Sequence, residues 1–589
     1  MDSTEFYNSQ IDEFTKESKE IFKQLSVLSI LRLVVFLSTI GVIYLLRQQW
    51  QWAFLVGLVG SAVFLILLSR YTDLKAKRAL SKRLIKINEE ELKINKGEYN
   101  HRADGIQFQN SNHFYSLDID LFGKGSFFQF MNRTNINEGT EKLADVLLAN
   151  NISNIQKRQQ AIKELAKLPS WTQLYAGLAQ GIETDYKATK IITWLKSYSP
   201  FLKTLHYWLS ISFSALSICI ITLVVLQYVP VTFAGYWLLI GLGITGIYLK
   251  RISILAHNTE RTKDTFRQYA LLLNQIENQS FTSELLKEQQ DKLKFKEVKA
   301  SKIFSEFTKA LDALDNRNNL ISALFGNGYL LWDIAQSYRV EQWIIKYADK
   351  VEDWFDVVVF FDAFNSLGTY TYNHSTYVFP SIVDDETCVN ANDLGHPLLQ
   401  AQKRIDSDIE LNKNEFFIVT GANMAGKSTF LRTVGLHIVM ANMGLPVCAK
   451  TSYYNPVKLI TSMRTTDSLK DDSSYFFSEL TRLKFIVDTI STDENYFVIL
   501  DEILKGTNST DKAKGSKKFV ERLVSIGATG IIATHDLSLT KIEAELEPVQ
   551  NYFFDAQIIN EELYFDYKLK KGVCSNMNAS FLLKKMEIV

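Results

Sequence analysis

At 589 residues the chain is too long for one ordinary domain, and its 47% hydrophobic content fills large cores with apolar surface left over for lipid. Lys plus Arg equals Asp plus Glu at 65 each, which excludes an overall positive field that would draw the protein to nucleic acid and leaves only local basic faces. The four cysteines, Cys219, Cys388, Cys448 and Cys574, have no paired spacing, which argues against a zinc site or a disulfide framework and fits a reducing compartment.

The first elements are apolar. Leu25 to Leu46 carries one charge, Arg32, near enough to one end to snorkel, and Gln48 to Ser69 carries none. Each is close to the ~20 residues a helix needs to cross a bilayer core. Arg47-Gln-Gln-Trp-Gln-Trp52 supplies a short turn with interfacial tryptophans, so residues 25–69 are expected to form a transmembrane helical hairpin behind a mixed-charge segment, 1–24. That leading segment and the direct continuation into a second span exclude a cleavable signal peptide. A second hairpin is expected at 201–250, where Thr204 to Leu249 holds no Asp, Glu, Lys or Arg and Pro230 and Gly235 mark a turn. The flanks set the orientation: Arg70, Lys75, Lys77, Arg78, Lys82, Arg83 and Lys86 follow the first hairpin, and Lys203, Lys250 and Arg251 bracket the second. Both place the hairpin ends in the cytoplasm. Two roles are open to the basic run, contact with anionic headgroups or an ordinary solvated face.

Between and after the hairpins, residues 70–200 and 251–383 are helical in pattern, with a polar and aromatic interruption near Asp104 to Asn132. Few glycines or prolines break the second stretch, where Lys302-Ile-Phe-Ser-Glu-Phe-Thr-Lys-Ala-Leu-Asp-Ala-Leu314 has the apolar spacing of a long lever or bundle helix. From residue 384 to 589 short strands alternate with helices, which predicts an α/β domain with a parallel sheet.

Within that domain, Phe416-Phe-Ile-Val-Thr-Gly-Ala-Asn-Met-Ala-Gly-Lys-Ser-Thr429 puts a glycine loop between an apolar strand and a helix beginning near Phe430. Glycines at 421 and 426 let backbone N–H groups close round phosphate oxygens, Lys427 neutralises β and γ charges, and the Ser428 hydroxyl is a Mg²⁺ ligand. Hydrolysis needs carboxylates on a second strand, and Asn495-Tyr-Phe-Val-Ile-Leu-Asp501-Glu502 supplies them. Asp501 is placed to organise Mg²⁺ and its waters, and Glu502 to orient or deprotonate the attacking water. A third strand, Thr529-Gly-Ile-Ile-Ala-Thr-His535, ends in a histidine able to sense the γ-phosphate. ATP and Mg²⁺ are therefore the expected ligands.

Four segments, Thr420–Thr429, Asp472-Ser-Ser-Tyr-Phe-Phe-Ser-Glu-Leu480, Leu500-Asp-Glu-Ile-Leu-Lys-Gly-Thr-Asn-Ser-Thr-Asp511 and Ala533-Thr-His-Asp536, resemble in order and spacing the ATPase domain of MutS-family DNA mismatch-repair proteins. The Asn-Met pair inside the loop and the Gly-Thr-x-Ser-Thr after the acids set this family apart from other P-loop ATPases. The likeness extends to Gly395-His396-Pro397 and, more loosely, to Asp118–Thr134 with Arg158–Leu165, which look like the family's helical core. The resemblance implies an ABC-like, MutS-type P-loop ATPase domain behind a long all-α region. It implies nucleotide contacts from Gly421, Asn423, Met424, Ala425, Gly426, Lys427, Ser428 and Thr429, and a homodimer in which Ser474 reaches the partner's γ-phosphate and Asn508 lies at the contact between sites. Asn423 has two roles open, phosphate contact or capping of the loop, and Ser474 has a plainer one as a polar helix start. Ala422 and Ala425 stand where the family often has Pro and Gly, at permissive positions.

The resemblance also brings in DNA as a partner class, but a membrane hairpin stands where mismatch-finding relatives carry a DNA-wedging domain, and no Phe-x-Glu reading element is found in that N-terminal part. The expectation is a membrane-anchored ATPase of bacterial inner-membrane type, with four spans, a cytoplasmic ATPase domain and levers acting on DNA or on an unknown protein client. Two alternatives compete. An ABC-type transporter would need a Leu-Ser-Gly-Gly-Gln signature and polar or charged residues marking a substrate path, and neither is found. A nucleotide-gated membrane scaffold would not need the Asp501–Glu502 pair.

Overall fold

The computed structural model describes residues 2–181, 188–422, 424–464, 475–493, 495–506, 508–559 and 562–574. A long all-helical region comes first and two β-sheets with their helices follow.

Helices α1 (Ser3–Leu45) and α2 (Trp50–Asn95) pack along one another. Residues 3–40 contain no glycine or proline, so α1 runs unbroken through the division expected at residue 24. Its polar half is tied to α2 by Glu17, which accepts from Lys77 at 2.8 Å and from Ser81 Oγ at 2.9 Å. In the apolar half the contact is made by small residues, because a Cβ on Gly60 would stand 2.4 Å from Thr39 Oγ1. The Arg32 guanidinium lies 4.6 Å from the centre of the Tyr71 ring, at the end of the apolar stretch.

After α2 the chain is irregular but packed: Tyr115, Ile119, Leu121 and Phe127 are buried. Short helices α3 (Phe127–Met131), α4 (Asn137–Leu148), α5 (Ile155–Ala166), α6 (Pro169–Ala179) and α7 (Ala188–Ser197) complete this layer. The second apolar pair is α8 (Thr204–Val225) and α9 (Val231–Glu277), with Pro230 at the N-cap position of α9, where its missing N–H costs nothing. The two are joined at depth by stacking of Phe213 on Trp237, centroids 4.6 Å apart, and by the Trp237 indole N–H donating to Ser217 Oγ at 2.7 Å.

α9 continues past its apolar stretch as one rod and packs on α11 (Ala300–Asp315), reached through α10 (Glu284–Asp291) and a two-strand turn, β1 (Lys294–Phe295) with β2 (Val298–Lys299). Phe266, Phe304, Phe307, Trp343 and Phe355 form the aromatic centre of this bundle, with Phe307 and Trp343 stacked at 3.8 Å. A short apolar helix, α12 (Leu320–Leu330), precedes α13 (Trp332–Asn373), which runs through the helical core to the sheets.

The sheets divide the C-terminal part. β4 (Thr387–Leu394), β5 (Ser407–Asn412), β7 (Thr451–Tyr454) and the short β3 (Ser381–Ile382) form a four-stranded sheet in the order β3-β7-β4-β5, antiparallel except for β3–β7. The parallel sheet expected from residue 384 therefore begins only with the next strand. β6 (Phe416–Gly421), β8 (Lys458–Ser462), β9 (Tyr496–Asp501), β10 (Thr529–Ala533), β11 (Val549–Ile559) and β12 (Glu562–Lys571) form the second sheet in the order β12-β11-β6-β10-β9-β8. Its pairings are parallel but for the edge hairpin β11–β12. β6 is buried throughout, as a central parallel strand covered on both faces must be. Helices α14 (Lys427–Met443), α15 (Tyr475–Ile490) and α16 (Ser509–Ser525) cover it.

Candidate functional site

Three parallel neighbours, β6, β10 and β9, end side by side, the edge at which open α/β sheets place their ligands. β6 delivers Gly421 there, and α14 begins at Lys427. Two glycines are required by close approach. At φ 149° a Cβ on Gly421 would stand 2.8 Å from Phe554 O, and Gly426, at φ 105° in the N-cap position of α14, comes within 3.1 Å of the Tyr567 ring by the same measure. Met424 also holds a left-handed φ of 66° and is 81% exposed, whereas Ala425 is buried. A helix whose first N–H groups face such a loop binds anions.

Lys427, the first residue of α14, is 5% exposed, and its Nζ donates to Gly421 O and Ala422 O, each at 2.9 Å. Burial pulls its pKa down, and the charges of Glu502 and Asp501 act against that pull. Ser428 Oγ donates to Asp501 Oδ2 at 2.7 Å, joining the end of β9 to the start of α14. Burial raises the Asp501 pKa while that hydrogen bond lowers it.

Glu502 stands just past the strand at φ 51°, a conformation a non-glycine residue holds only under constraint, and its N–H is fixed on Ala533 O at 2.9 Å. Its Oε1 lies 2.6 Å from His535 Nε2, a contact that fits an Nε2–H donor. His535 lowers the Glu502 pKa to about 2 against the effect of burial, so adjacent carboxyls are shifted in opposite directions. His535 Nε2 is also 3.4 Å from Lys427 Nζ.

A cavity of about 490 Å³ opens onto Met424, Gly426, Lys427, Ser428, Thr429, Glu502 and His535. Its other wall is made by His396, Lys403, Phe554 and Tyr567, from the four-stranded sheet's loop and the β11–β12 hairpin. Burial lowers the His396 pKa to about 4, so that ring is neutral at pH 7. Gly421 and Asp501 hold their neighbours without lining the cavity. Asn508 lies apart from it: exposed, it caps α16, its side-chain oxygen accepting from Asp511 N at 2.9 Å. Asn423 and Ser474 lie outside the described residues.

Two residues lie inside segments that carry the family resemblance, yet sequence reasoning gave neither a role. Glu479 on α15, 4% exposed, accepts from Leu504 N at 2.5 Å and Lys505 N at 3.1 Å, tying the helix that follows Ser474 to the loop that follows Asp501–Glu502. Asp118, from the irregular helical-region segment, accepts from Thr461 Oγ1 at 2.6 Å, Met463 N at 3.1 Å and Arg464 N at 2.9 Å at the end of β8. Both are buried carboxylates whose use depends on backbone N–H groups far away in sequence.

The family model described as MutS domain V matches residues 417–585, a stretch that holds every residue of the loop, the two acids and His535. Among curated proteins, the chain is 29% identical over 212 residues to the DNA mismatch repair protein MutS of Acetivibrio thermocellus, covering 35% of this chain and 24% of that one. It is 31% identical over 225 residues to the human MutS protein homolog 4, covering 36% and 23%. It is 32% identical over 221 residues to the DNA mismatch repair protein MutS of Methanosarcina acetivorans, covering 36% and 24%. The matched stretch thus spans about a quarter of the length of these relatives.

Proposed function

The chain is a member of the MutS family through its C-terminal region, and from that premise we propose that it is a membrane-anchored ATPase whose nucleotide sites are completed by a second copy of itself. The observation that carries the reading is the convergence of five residues at the ends of three neighbouring strands: Ser428 bonded to Asp501, His535 beside Glu502, and Lys427 Nζ 3.4 Å from His535 Nε2.

The donor set fits Mg²⁺ and a triphosphate. Ser428 Oγ and the Asp501 carboxylate, 2.7 Å apart, are hard oxygen ligands and would hold the ion. When bound, Mg²⁺ neutralises phosphate charge. Lys427 and the N–H groups at the start of α14 would hold the phosphates, with Gly421 and Gly426 giving the loop its close approach. Glu502, kept ionised by His535, would orient water and accept its proton. His535, between Glu502 and Lys427, is placed to change partners when phosphate competes for Lys427. Ser474 of a partner subunit would complete the site by its place in the motif, and Asn508 would lie near the contact, so ATP binding and association would support each other.

The coupling runs through two described contacts. Glu479 fastens α15 to the Glu502 loop, and Asp118 fastens the helical region to the end of β8. Arg482 adds to the second, donating from α15 to Phe114 O at 2.6 Å and Thr461 O at 2.8 Å. Closure at the site would therefore pull on the helical levers. Membrane anchoring rests on four helices long and apolar enough to cross a bilayer. The relatives' names bring DNA in as a candidate client, and no observation favours the transporter reading.

The test is ATP turnover by the detergent-solubilised protein, with and without duplex, branched or mismatched DNA, over a range of salt. Turnover that Lys427→Ala and Glu502→Gln both abolish is the expected result. Activity that survives in Glu502→Gln would overturn the catalytic assignment. DNA stimulation that falls with salt would mark phosphate-backbone contacts, and indifference to every DNA would move the client to membrane or protein.

A further inference from the structure

α12 has the sequence Leu-Ile-Ser-Ala-Leu-Phe-Gly-Asn-Gly-Tyr-Leu, with no charge, and it is too short to span a bilayer. One side of it is covered and the other is not. Leu320 is 82% exposed, Ile321 68% and Phe325 50%, while the opposite side packs on α8 and α9. The two helices it packs on are bare in their apolar parts as well, with Leu216 on α8 and Leu239 on α9 exposed.

Its contacts fix how deep it reaches. Before α12, Arg317 Nη2 donates to Ser253 Oγ at 3.0 Å, just past Lys250 and Arg251 where the apolar part of α9 ends. At the far end, Gly328 meets Gly241, midway along that apolar part: a Cβ on Gly241 would stand 2.3 Å from Gly328 O. Ser214 Oγ donates to Leu330 O at 3.2 Å and Tyr329 Oη to Ala234 O at 3.2 Å. At ~1.5 Å per residue, Arg317 to Gly328 covers ~16 Å, about half of a ~30 Å hydrocarbon core.

The chain then reverses. Leu331, fully buried, takes the left-handed conformation at φ 48°, and α13 climbs back past Tyr207, on which Tyr338 stacks at 5.2 Å. It reaches Glu341, whose carboxylate accepts from Phe201 N and Leu202 N just before α8. Irregular backbone at membrane depth is tolerated only where protein buries it and its polar groups are met. Here Asn327 Oδ1 accepts from Asp333 N at 2.9 Å, and the Asp333 carboxylate, 3% exposed, pairs with Arg317 at 3.6 Å.

We propose that Leu320–Leu330 is a re-entrant helix inserted into the cytoplasmic leaflet, its exposed side covered by lipid acyl chains. This rests on the reading of α8 and α9 as membrane spans. A single residue, Leu331, links α12 to α13 and the Asn327–Asp333 bond reinforces the junction, so motion of α13 would act directly on one leaflet.

The test uses the full chain with Cys219 replaced by Ser, reconstituted in phosphatidylcholine–phosphatidylglycerol vesicles, with bimane placed by Phe325→Cys, Leu239→Cys or Lys309→Cys in turn. All three are exposed positions, so the label need not disturb packing. Bimane at Phe325 and Leu239 should lose fluorescence to doxyl-labelled lipid and lose most iodide quenching relative to Lys309. Iodide quenching at Phe325 with lipid quenching at Leu239 would overturn the re-entrant helix alone. Iodide quenching at both would overturn the spans with it. Protection of Phe325 from both quenchers would mean that protein, such as a second copy of the chain, covers α12, and would equally overturn the proposal.

Discussion

The two apolar helix pairs are alike in sequence and unlike in company. Within the most apolar windows of α1 and α2 no residue is buried, so at that depth each helix meets only its partner. In α8 and α9 the corresponding windows are 17% and 22% buried, because α12 and the start of α13 lie against them. α13 then continues as one helix to Asn373, where Tyr7 Oη donates to Asn373 Oδ1 at 2.5 Å, eight residues before β3. In its apolar part the first pair touches no other element, which suits the proposed anchor role, although its polar ends meet α6 and the end of α13. The second pair is clamped along its apolar part to a helix that leads to the sheets carrying the candidate site, an arrangement that can carry motion.

The largest expected effect tests whether that difference is driven by nucleotide. Glu502→Gln should cut ATP turnover by ~10²–10⁴-fold, the range general-base removal produces, while leaving ATP binding in place. With ATP held in this variant, bimane at Phe325 should change its spectrum and bimane at Leu58, on α2, should not. Equal changes at both would erase the distinction between anchor and coupling element.

The next effect probes the grip of α13 on the helical core. Asp362 is buried on α13 and accepts from Asn135 N and Ile136 N, each at 3.0 Å by its Oδ2. Burial lifts its pKa from 3.8 to about 7 against those donors. Between these values the folded chain holds a proton that the unfolded chain releases. This contribution to stability is therefore complete below pH 3.8 and lost as pH rises through about 7. Buried His374, lowered from 6.5 to about 4, runs the other way: its contribution is present above pH 6.5 and lost as pH falls through about 4. The difference between wild type and Asp362→Asn isolates the carboxyl. Relative to wild type, the variant should gain stability on the order of 2–4 kcal/mol between pH 4 and pH 8, measured by denaturant unfolding. A flat difference would mean that the backbone donors hold Asp362 ionised.

How much of this was readable depended on how locally each feature is encoded. Residues 416–429, 495–502 and 529–535 are contiguous strand-and-loop segments, so their order already places Lys427, Ser428, Asp501, Glu502 and His535 on one sheet edge. Glu479 and Asp118 act on backbone N–H groups and have no partner type to search for. The antiparallel β4–β5 pair escaped because its strands are joined by a twelve-residue loop, 395–406, with no tight-turn signature. α12 escaped because its eleven uncharged, mostly apolar residues are too few for a span and read equally well as part of a buried lever. Only its position beside α8 and α9 separates the two.

Gly241→Val should test the coupled pair next. Its new side chain would meet backbone at Gly328 O, which cannot rotate away, so α12 must shift, at a cost of ~1–3 kcal/mol as for other overpacked contacts. Thermal unfolding in detergent should fall, and ATP turnover should change with it if α12 and α13 move with the nucleotide site.

The matching change in the anchor, Gly60→Val, carries the smallest expected effect. A Cβ at Gly60 would approach Thr39 as closely as one at Gly241 approaches Gly328, 2.4 Å against 2.3 Å, yet what it meets is a side chain. Thr39 presents Oγ1 at 2.4 Å and Cγ2 at 2.5 Å with its Cβ at 3.0 Å, so rotation gives up the 2.7 Å bond from Oγ1 to Val35 O, ~1 kcal/mol or less, and a small separation of the two helices relieves the rest. α1 and α2 can also slide apart without dragging another element, since none packs on them at that depth. Turnover should therefore stay at the wild-type level, with at most a small drop in melting temperature. A loss of activity comparable to Gly241→Val would make the first pair part of the moving machinery.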